Sequence, residues 1–397
     1  MRVSTKSIQF QWLADVYRRQ AAMARVQKQV SSGLRINTAG DDPSGASQVV
    51  SLKQGLARLD NFQANGEAAR RRLSLEEGAL GNVQDALVRM RELAVEAGGG
   101  VQTSDTRKAM AAEIRELLAG LVDTANSQDG EGHHLFAGTT AGSQAVTVAG
   151  GAVQYNGDDG TRLQRIGEDR SVREGDAGSD VFFRIRNGNG TFAVSAGAGN
   201  QGSAFLATTG ITDRSAWVAD DYTIAFTGPG TWTVTDSGNA TVASGGWQPG
   251  ETIAFRGISV TIDGTPVAGD RFAVRPSANT SLFTMADRLA TALESDSMTP
   301  AGRASFQTAL NSALLDLDQA ERHIEDIRSS VGSRLATLDE QKSGNDELAL
   351  QLQTTLSSVR DVDYPKAISD LQTQLTGLEA AHRVYAQMRS LSLFDLL

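Results

Sequence analysis

The chain has 397 residues, of which 40% are hydrophobic and 21% charged, enough for two or three soluble domains. It contains no cysteine, which excludes disulfides, thiol nucleophiles and cysteine-ligated metals. The formal net charge is −10, although residues 1–75 hold 12 basic and 5 acidic side chains, a pattern typical of solvated helix faces.

The first predicted element is a helix from Ser7 to Ser32, followed by Gly33 as its C′ residue. Apolar residues recur along it at alternating spacings of three and four, which places them on one seam that must pack against another helix. The same spacing returns near the end of the chain, so we predict that the two ends pair. We take this seam as an assembly interface formed by Leu13, Val16, Met23, Val30, Leu34, Ile368, Leu371, Leu375, Leu378 and Tyr385.

A second helix is predicted to begin at Asp42 and Pro43, because aspartate caps helix starts and proline is tolerated at the first helical position. Its seam includes Leu73, Glu76 and Leu80, and the run Gly98–Gly100 ends it. A shorter helix follows from Ser104 to about Ser127.

The middle of the chain has a different composition. Of the 41 glycines, 26 lie between residues 130 and 280, where strand-like runs alternate with turn signals. We predict one hairpin with strands 181–186 and 191–194 and a second with strands 222–226 and 231–234. The two hairpins resemble a weak internal repeat.

Helices return at Ser281 and at Thr299–Pro300, and a break at Asp363–Pro365 precedes the last helix. The predicted fold class is therefore α+β: a long antiparallel, coiled-coil-like helical bundle from both chain ends with an inserted β-rich domain. We expect three parts: terminal assembly helices, a helical rod domain and an outward-facing β-rich domain. Their predicted boundaries are 1–42 plus 361–397, 43–140 plus 275–360, and 141–274.

No catalytic, cofactor or metal site emerges from the sequence. His133–His134 has no third ligand nearby and is better read as a turn before a strand. Asp158–Gly160 and Asp220–Asp221 lack the ligand spacing of a calcium loop, and Gly188–Gly190 lacks the helix and lysine of a phosphate loop. Seven aromatic residues of the middle favour a sheet core over a sugar site, namely Phe182, Phe183, Trp217, Tyr222, Phe226, Trp232 and Trp247.

Two motifs at the ends resemble signatures of the bacterial flagellin family. The N-terminal motif runs through Ser31–Asn37 and Asp41–Ala46, and the C-terminal motif is Val331–Leu335, followed by the break at Asp361–Tyr364. Within that family, the chain resembles the junction type of subunit more than the filament type. The similarity lies at the start of the chain, Met1–Thr5, at its end, Leu391–Phe394, and in the run 129–138. The residues that carry the N-terminal motif are Ser32, Gly33, Arg35, Asn37, Asp41, Asp42 and Pro43.

The resemblance implies a structural subunit of the flagellum that is not an enzyme and that connects hook and filament by assembly of its terminal helices. It implies copies of itself, flagellin and a hook-side junction protein as partners, with an export chaperone on the C-terminal helix. We expect type III export without a cleavable signal, since residues 1–11 lack an apolar core. We expect neither nucleic-acid binding nor membrane insertion, because interleaved aromatics and an apolar span are missing.

Two alternatives remain at this point. The chain could be a flagellin filament subunit, or an adhesin-like module whose β-rich middle binds glycans on a helical stalk. A glycan-binding module should keep its activity when the terminal helices are removed, whereas an assembly subunit should lose its function.

Overall fold

Long helices dominate both ends of the chain in the computed structural model, which describes residues 5–99, 102–228, 230–295 and 298–394. The predictions for residues 1–4, Gly100, Pro229 and 395–397 concern residues outside this described part. The helices are α1 (Thr5–Ser32), α2 (Pro43–Gly98), α3 (Ser104–Ala125), α4 (Leu282–Glu294), α5 (Pro300–Arg360) and α6 (Tyr364–Phe394).

The helix boundaries follow local chemistry. Asp42 precedes α2 and accepts a hydrogen bond from the Gly45 backbone N–H at 2.9 Å, and Thr299 does the same for Gly302 at the start of α5. Such bonds satisfy backbone N–H groups that a helix leaves without partners in its first turn. The predicted starts at Pro43 and Pro300 are confirmed.

Strands fill the middle of the chain, and every pairing between them is antiparallel in the described residues. They are β1 (Val146–Ala149), β2 (Ala152–Tyr155), β3 (Leu163–Arg165), β4 (Ser171–Arg173), β5 (Ile185–Arg186), β6 (Phe192–Ala196), β7 (Phe205–Ile211), β8 (Tyr222–Gly228), β9 (Thr231–Thr235), β10 (Thr241–Gly246), β11 (Thr252–Phe255), β12 (Ile258–Asp263), β13 (Arg271–Pro276) and β14 (Asn279–Thr280).

Two larger sheets contain most of these strands. One has the order β10-β9-β8-β13-β6 and the other β11-β12-β7. Strand β13 joins sequence-distant partners, because Val274 lies between Tyr222 on β8 and Val194 on β6. The hairpin predicted between 222–226 and 231–234 is confirmed as β8 and β9.

The hydrophobic interior has two separate parts. One combines α2, α3, α4 and α5 with residues from 135 to 185, so the first part of the insertion shares a core with the helices. The other lies among β6 to β13 and contains Phe226 and Trp232. The predicted β-rich insertion in a helical framework is therefore confirmed as a fold class.

The hairpin predicted between 181–186 and 191–194 is wrong. Residues Ser179–Phe183 form a π-helical turn, and β5 pairs with β14 instead of with β6. Val181 and Phe182 are both fully buried, with Phe182 against Phe136 and Phe283. Burial of two consecutive side chains suits a helical turn, since successive residues of a strand point to opposite faces. The weak internal repeat predicted from the two hairpins is therefore wrong as well, because the first hairpin does not form.

The strands after β5 attach to α5 through polar side chains. Thr308 accepts a hydrogen bond from the Leu206 N–H at 3.1 Å, and Asn311 donates to the Leu206 carbonyl at 2.7 Å. Asp316 accepts from the Gly188 N–H at 2.6 Å. The chain leaves and returns at adjacent positions, because the Asn187 N–H donates to the Ala278 carbonyl at 3.1 Å.

The chain divides into two compact units. The smaller comprises residues 1–64 and 340–397, and the larger comprises residues 65–339. Helices α2 and α5 contribute to both units. None of the described helices combines the length and apolar character needed to cross a membrane.

Candidate assembly site at the paired chain ends

Helices α1 and α6 run antiparallel and pack on each other, which confirms the predicted pairing of the two chain ends. The Trp12 ring stacks on Tyr385 with centroids 4.0 Å apart, and its N–H donates to the Ala381 carbonyl at 3.3 Å. Further along the pair, a Cβ on Gly377 would lie 2.6 Å from the Arg19 guanidinium. A glycine at this position allows the Arg19 side chain to lie against the α6 backbone.

The predicted seam divides into residues that the pair covers and residues that it does not. Val16 is 6% exposed, whereas Leu13, Ile368 and Leu375 are 39%, 46% and 43% exposed. The six remaining seam residues are half-buried, namely Met23, Val30, Leu34, Leu371, Leu378 and Tyr385. The structure places nine of the ten on the helix pair, whereas Leu34 lies beyond the end of α1, in a β-bridge with Asp361. The role of these residues as an assembly interface stays a prediction.

Sequence reasoning missed three exposed apolar residues of the same helices. Phe10 and Tyr17 are 71% and 65% exposed, and Val384 is 51% exposed. Phe10 and Tyr17 are seven residues apart, so they lie on one face of α1. The sequence signal for these residues is an apolar side chain outside the seam on an otherwise polar helix face.

The N-terminal motif forms the connection between α1 and α2, and it also caps the end of α5. The Arg35 and Ile36 N–H groups point to the Arg360 carbonyl at 2.7 and 3.4 Å, and the Val362 N–H donates to the Gly33 carbonyl at 3.0 Å. Residues 33–36 therefore lie antiparallel to residues 360–362. We call this arrangement the terminal clasp.

Arg35 completes the cap with its side chain. Its Nε and Nη2 atoms donate to the Val359 carbonyl at 3.1 and 2.6 Å, and Nη1 contacts the Asp42 carboxylate at 3.2 Å. The last carbonyls of a helix have no partner within the helix, and a cation near them is favourable. The arginine of the motif thus ties the end of α5 to the start of α2.

Gly33 and the two aspartates shape the turn itself. Gly33 has φ of +73°, a conformation that L-residues with a side chain rarely adopt. Asp41 accepts hydrogen bonds from the Thr38 and Asn37 N–H groups at 2.9 and 3.2 Å. The Thr38 backbone bond is the main cause that lowers the pKa of Asp41, and the Gly45 backbone bond lowers the pKa of Asp42.

The other motif residues have similar local roles. Ser32 Oγ accepts a hydrogen bond from the Leu34 N–H at 3.2 Å, and the Asn37 amide donates to the Leu34 carbonyl at 3.0 Å. Pro43 is the first residue of α2. All seven motif residues therefore lie in or beside the terminal clasp.

The aspartates of the candidate metal sites accept hydrogen bonds from backbone N–H groups. Asp129 accepts from the Glu131 and His133 N–H groups at 2.9 Å each, and Asp158 accepts from the Thr139 N–H at 2.7 Å. The His134 side chain is buried, and its Nδ1 atom lies 2.8 Å from the Asn126 carbonyl oxygen. In the part of the chain that the structure describes, no group of three or more metal-binding side chains is present.

The aromatic residues of the middle contribute to the interior. Tyr222, Phe226, Trp232 and Trp247 belong to the core between β6 and β13, and Trp217 packs at its edge against Phe192. Phe182 is buried in the helical core and Phe183 packs against that core. Their burial favours the interpretation as core over a sugar-binding surface.

Two family models match this chain. The bacterial flagellin N-terminal helical region matches residues 3–141, which include α1, residues 33–36 of the terminal clasp, α2 and α3. The D2-like domain of flagellar hook-associated protein 1 matches residues 195–276, which contain most of the second core.

Full-length relatives cover both ends and the middle. Flagellar hook-associated protein 3 of Salmonella typhimurium is 24% identical over 396 residues, covering 100% of this chain and 99% of that protein. The crystal structure of Xanthomonas campestris FlgL is 35% identical with a TM-score of 0.73, covering 77% of this chain and 99% of that one. The flagellar junction protein FlgL from Legionella pneumophila is 31% identical with a TM-score of 0.73, covering 79% and 100%. On this similarity, the chain belongs to the family of flagellar hook-associated protein 3, also called FlgL.

Proposed function

We propose that the paired helices α1 and α6 are the surface through which this subunit assembles with copies of itself, with flagellin and with a hook-side junction protein. As a member of its family, the chain is a structural subunit at the junction of hook and filament in the extracellular flagellum, and it is not an enzyme. The observation that supports the assembly surface is the exposure of apolar side chains on both helices.

Exposed apolar side chains on paired helices are unfavourable in water. Phe10, Leu13 and Tyr17 on α1, and Ile368 and Leu375 on α6, are all more than a third exposed. Clusters of exposed apolar residues are typical of surfaces that bind another protein. Their burial in an assembly would contribute about 25 cal/mol for each Å² of apolar area removed from water.

The test replaces Leu375 with aspartate. Since Leu375 is 43% exposed, we expect the purified monomer to keep its helix content, measured by circular dichroism. We expect cells with this variant to lose attached filaments and swimming, because a carboxylate would face an apolar partner. The matched control is Leu163→Asp, at a residue of β3 that is 63% exposed, which should swim normally. Normal motility of Leu375→Asp would contradict the proposal.

The junction role has its own experiment. A strain without this subunit should keep its hooks and release flagellin into the medium, because filament growth lacks its base. A strain without a filament subunit would have no flagellin to release. Electron microscopy of hooks and an immunoblot of the medium separate the two outcomes, and immunolabelling of intact cells should confine the wild-type protein to the hook–filament boundary.

We also propose that a cytoplasmic export chaperone covers α6 before assembly. Ile368, Leu375 and Val384 are exposed apolar residues of α6 and would need a partner before the subunit meets its neighbours. Co-expression of the flagellar export chaperones with the full chain, and with a chain lacking residues 361–397, tests this. A complex on native gels with the full chain alone would support the site, whereas equal binding of both chains would exclude it.

The division into three functional parts remains a proposal. Because residues 145–185 share the helical core, we propose that the exchangeable part of the insertion runs from 188 to 276. Its two ends are adjacent, as the Asn187 to Ala278 hydrogen bond shows. Replacing 188–276 with a short Gly/Ser linker should leave the helical core folded, since loop closure depends weakly on length. Loss of helical circular dichroism in that variant would place the segment in the core.

A further inference from the structure

A buried charged cluster lies in the larger compact unit, where the segment after β4 packs on α2 and α5. Its centre is Glu76 on α2, which is 1% exposed. The Glu76 Oε1 atom accepts a hydrogen bond from the Asp176 N–H at 3.0 Å. Asp176 in turn forms an ion pair with Arg334 of α5, and both side chains of this pair are less than a fifth exposed.

The same cluster extends to a second buried arginine. Arg72, one turn before Glu76 on α2, is 7% exposed and donates to the His134 and Leu135 carbonyls at 2.9 and 3.0 Å. It also pairs with Asp129 at 3.0 Å. These bonds hold the turn at Asp129 against α2.

The remaining charged neighbours form a pair with each other. Arg162 contacts Glu174 at 2.6 Å, and both act electrostatically on Arg72. The His134 imidazole contacts the Asn126 carbonyl and the Gln128 amide, and the His133 Nδ1 atom lies 3.7 Å from the Asp129 carboxylate. We name the full set the Glu76 cluster: Arg72, Glu76, Asp129, Arg162, Glu174, Asp176 and Arg334.

The charges of the cluster do not balance if every group is ionised. Three guanidinium groups face four carboxylates, and arginine stays protonated in proteins. The Glu76 Oε2 and Arg334 Nη1 atoms are buried and have no hydrogen-bond partner among the described residues. A buried charge without a partner is strongly unfavourable, and a carboxyl in that position binds a proton instead. One added proton makes the cluster neutral.

We propose that the Glu76 carboxyl is protonated at neutral pH, and that loss of this proton loosens the segments around Asp129 and Asp176 from α2 and α5. The Asp176 carboxylate nearby favours the neutral form of Glu76, because two negative charges in one site repel each other. The cluster is thereby a pH-sensitive latch between the insertion and the helices.

Electrostatics support the same assignment. Burial raises the pKa of Glu76 to about 8, the charge of Asp176 adds to the rise, and Arg334 opposes it. A carboxyl with a raised pKa stabilises the closed latch fully below its ordinary value of 4.5. That stabilisation is lost as the pH rises, and the loss is complete above about 8. The equilibrium constant for opening should therefore rise by up to about tenfold per pH unit in that range.

The first test is amide hydrogen exchange of the full chain on peptides that cover Asp129 and Asp176, corrected for the intrinsic rate at each pH. In the wild type, we expect protection to fall by up to about tenfold per pH unit between 4.5 and about 8. In Glu76→Gln, a neutral side chain should make protection independent of pH. The matched control is Glu77→Gln, which removes the neighbouring carboxyl that pairs with Arg328 and should keep the wild-type slope. Equal slopes in wild type and Glu76→Gln would overturn the proposal.

The second test needs only the wild type to fold. Infrared spectroscopy at pH 7 should show the C=O band of a protonated carboxylic acid, which should disappear above about pH 8. A wild-type spectrum at pH 7 without such a band would overturn the proposal, whatever the behaviour of the variants.

Discussion

Alanine at Gly33 should destabilise the terminal clasp, while alanine at a second glycine of the same compact unit should stabilise that unit. Gly33 has φ of +73°, and the left-handed region costs an L-residue about 1–2 kcal/mol. The new Cβ would lie 3.1 Å from the Tyr364 hydroxyl, which must move by a few tenths of an ångström. Alanine also reduces the entropy of the unfolded chain, which offsets about 0.4–1 kcal/mol. The net expected loss is about 1 kcal/mol.

Gly344→Ala is the matched control. Gly344 lies within α5, and a Cβ at this position would meet no heavy atom within 4 Å. Glycine in a helix interior costs about 0.8–1.0 kcal/mol relative to alanine. The same substitution should therefore have opposite signs at the two positions, with a gap of about 2 kcal/mol.

Amide hydrogen exchange on peptides from 340 to 394 measures the free energy of opening in this unit. We expect faster exchange than wild type in Gly33→Ala and slower exchange in Gly344→Ala. If both variants shift in the same direction, or if Gly33→Ala matches the wild type, the left-handed turn does not stabilise the clasp.

Four further predictions each concern one side chain. Arg35→Ala should lower the free energy of opening at the end of α5 by about 1 kcal/mol or less, because the Val359 carbonyl loses a cationic cap. Amide hydrogen exchange there should be faster. Phe226→Ala, at a side chain that is 1% exposed, should cost about 3–5 kcal/mol and lower the melting temperature. Val218→Ala, at a residue that is 50% exposed, should cost less than about 0.5 kcal/mol. In urea unfolding, the free energy of unfolding of the wild type should fall by up to about 1.4 kcal/mol per pH unit between pH 4.5 and about 8. In this range Glu76 keeps its proton in the folded chain and loses it in the unfolded chain. Glu76→Gln should lack this slope.

The helices could be predicted because their signals are local. The cap residue and proline at Asp42–Pro43 determine a helix start through hydrogen bonds within three residues of chain. The pairing of the chain ends followed from the spacing of apolar residues, which is also a property of short windows. The structure confirms both, and it adds that the N-terminal motif caps the C-terminal end of α5, which lies 324 residues from Arg35 along the sequence.

The π-helical turn at Ser179–Phe183 could not be predicted in this way. A short apolar run such as Val181–Phe183 fits a strand or a buried helical turn, and only its packing against Phe136 and Phe283 decides between them. The burial of individual seam residues also could not be predicted from the sequence. Its spacing identifies one face of α1, but it does not distinguish Val16, which the pair buries, from Leu13, which the pair leaves exposed.

The partners of Glu76 also could not be predicted from the sequence. Its position between Leu73 and Leu80 on the α2 seam predicted burial, and a buried glutamate is unusual. Its partners Asp176 and Arg334 are about 100 and 260 residues away, so only the fold brings them together. Arg334 belongs to the C-terminal motif, which gives that motif a physical role in this chain.

The adjacent ends of the segment from 188 to 276 have a consequence for engineering. Asn187 and Ala278 are hydrogen-bonded neighbours, so any domain whose termini lie equally close could be joined there without strain on the helices. The polar contacts from Thr308, Asn311 and Asp316 are few and would be replaced by solvent if the segment were exchanged. A binding domain or an enzyme grafted at this position would be carried at the junction of hook and filament, in a number set by the copies of this subunit.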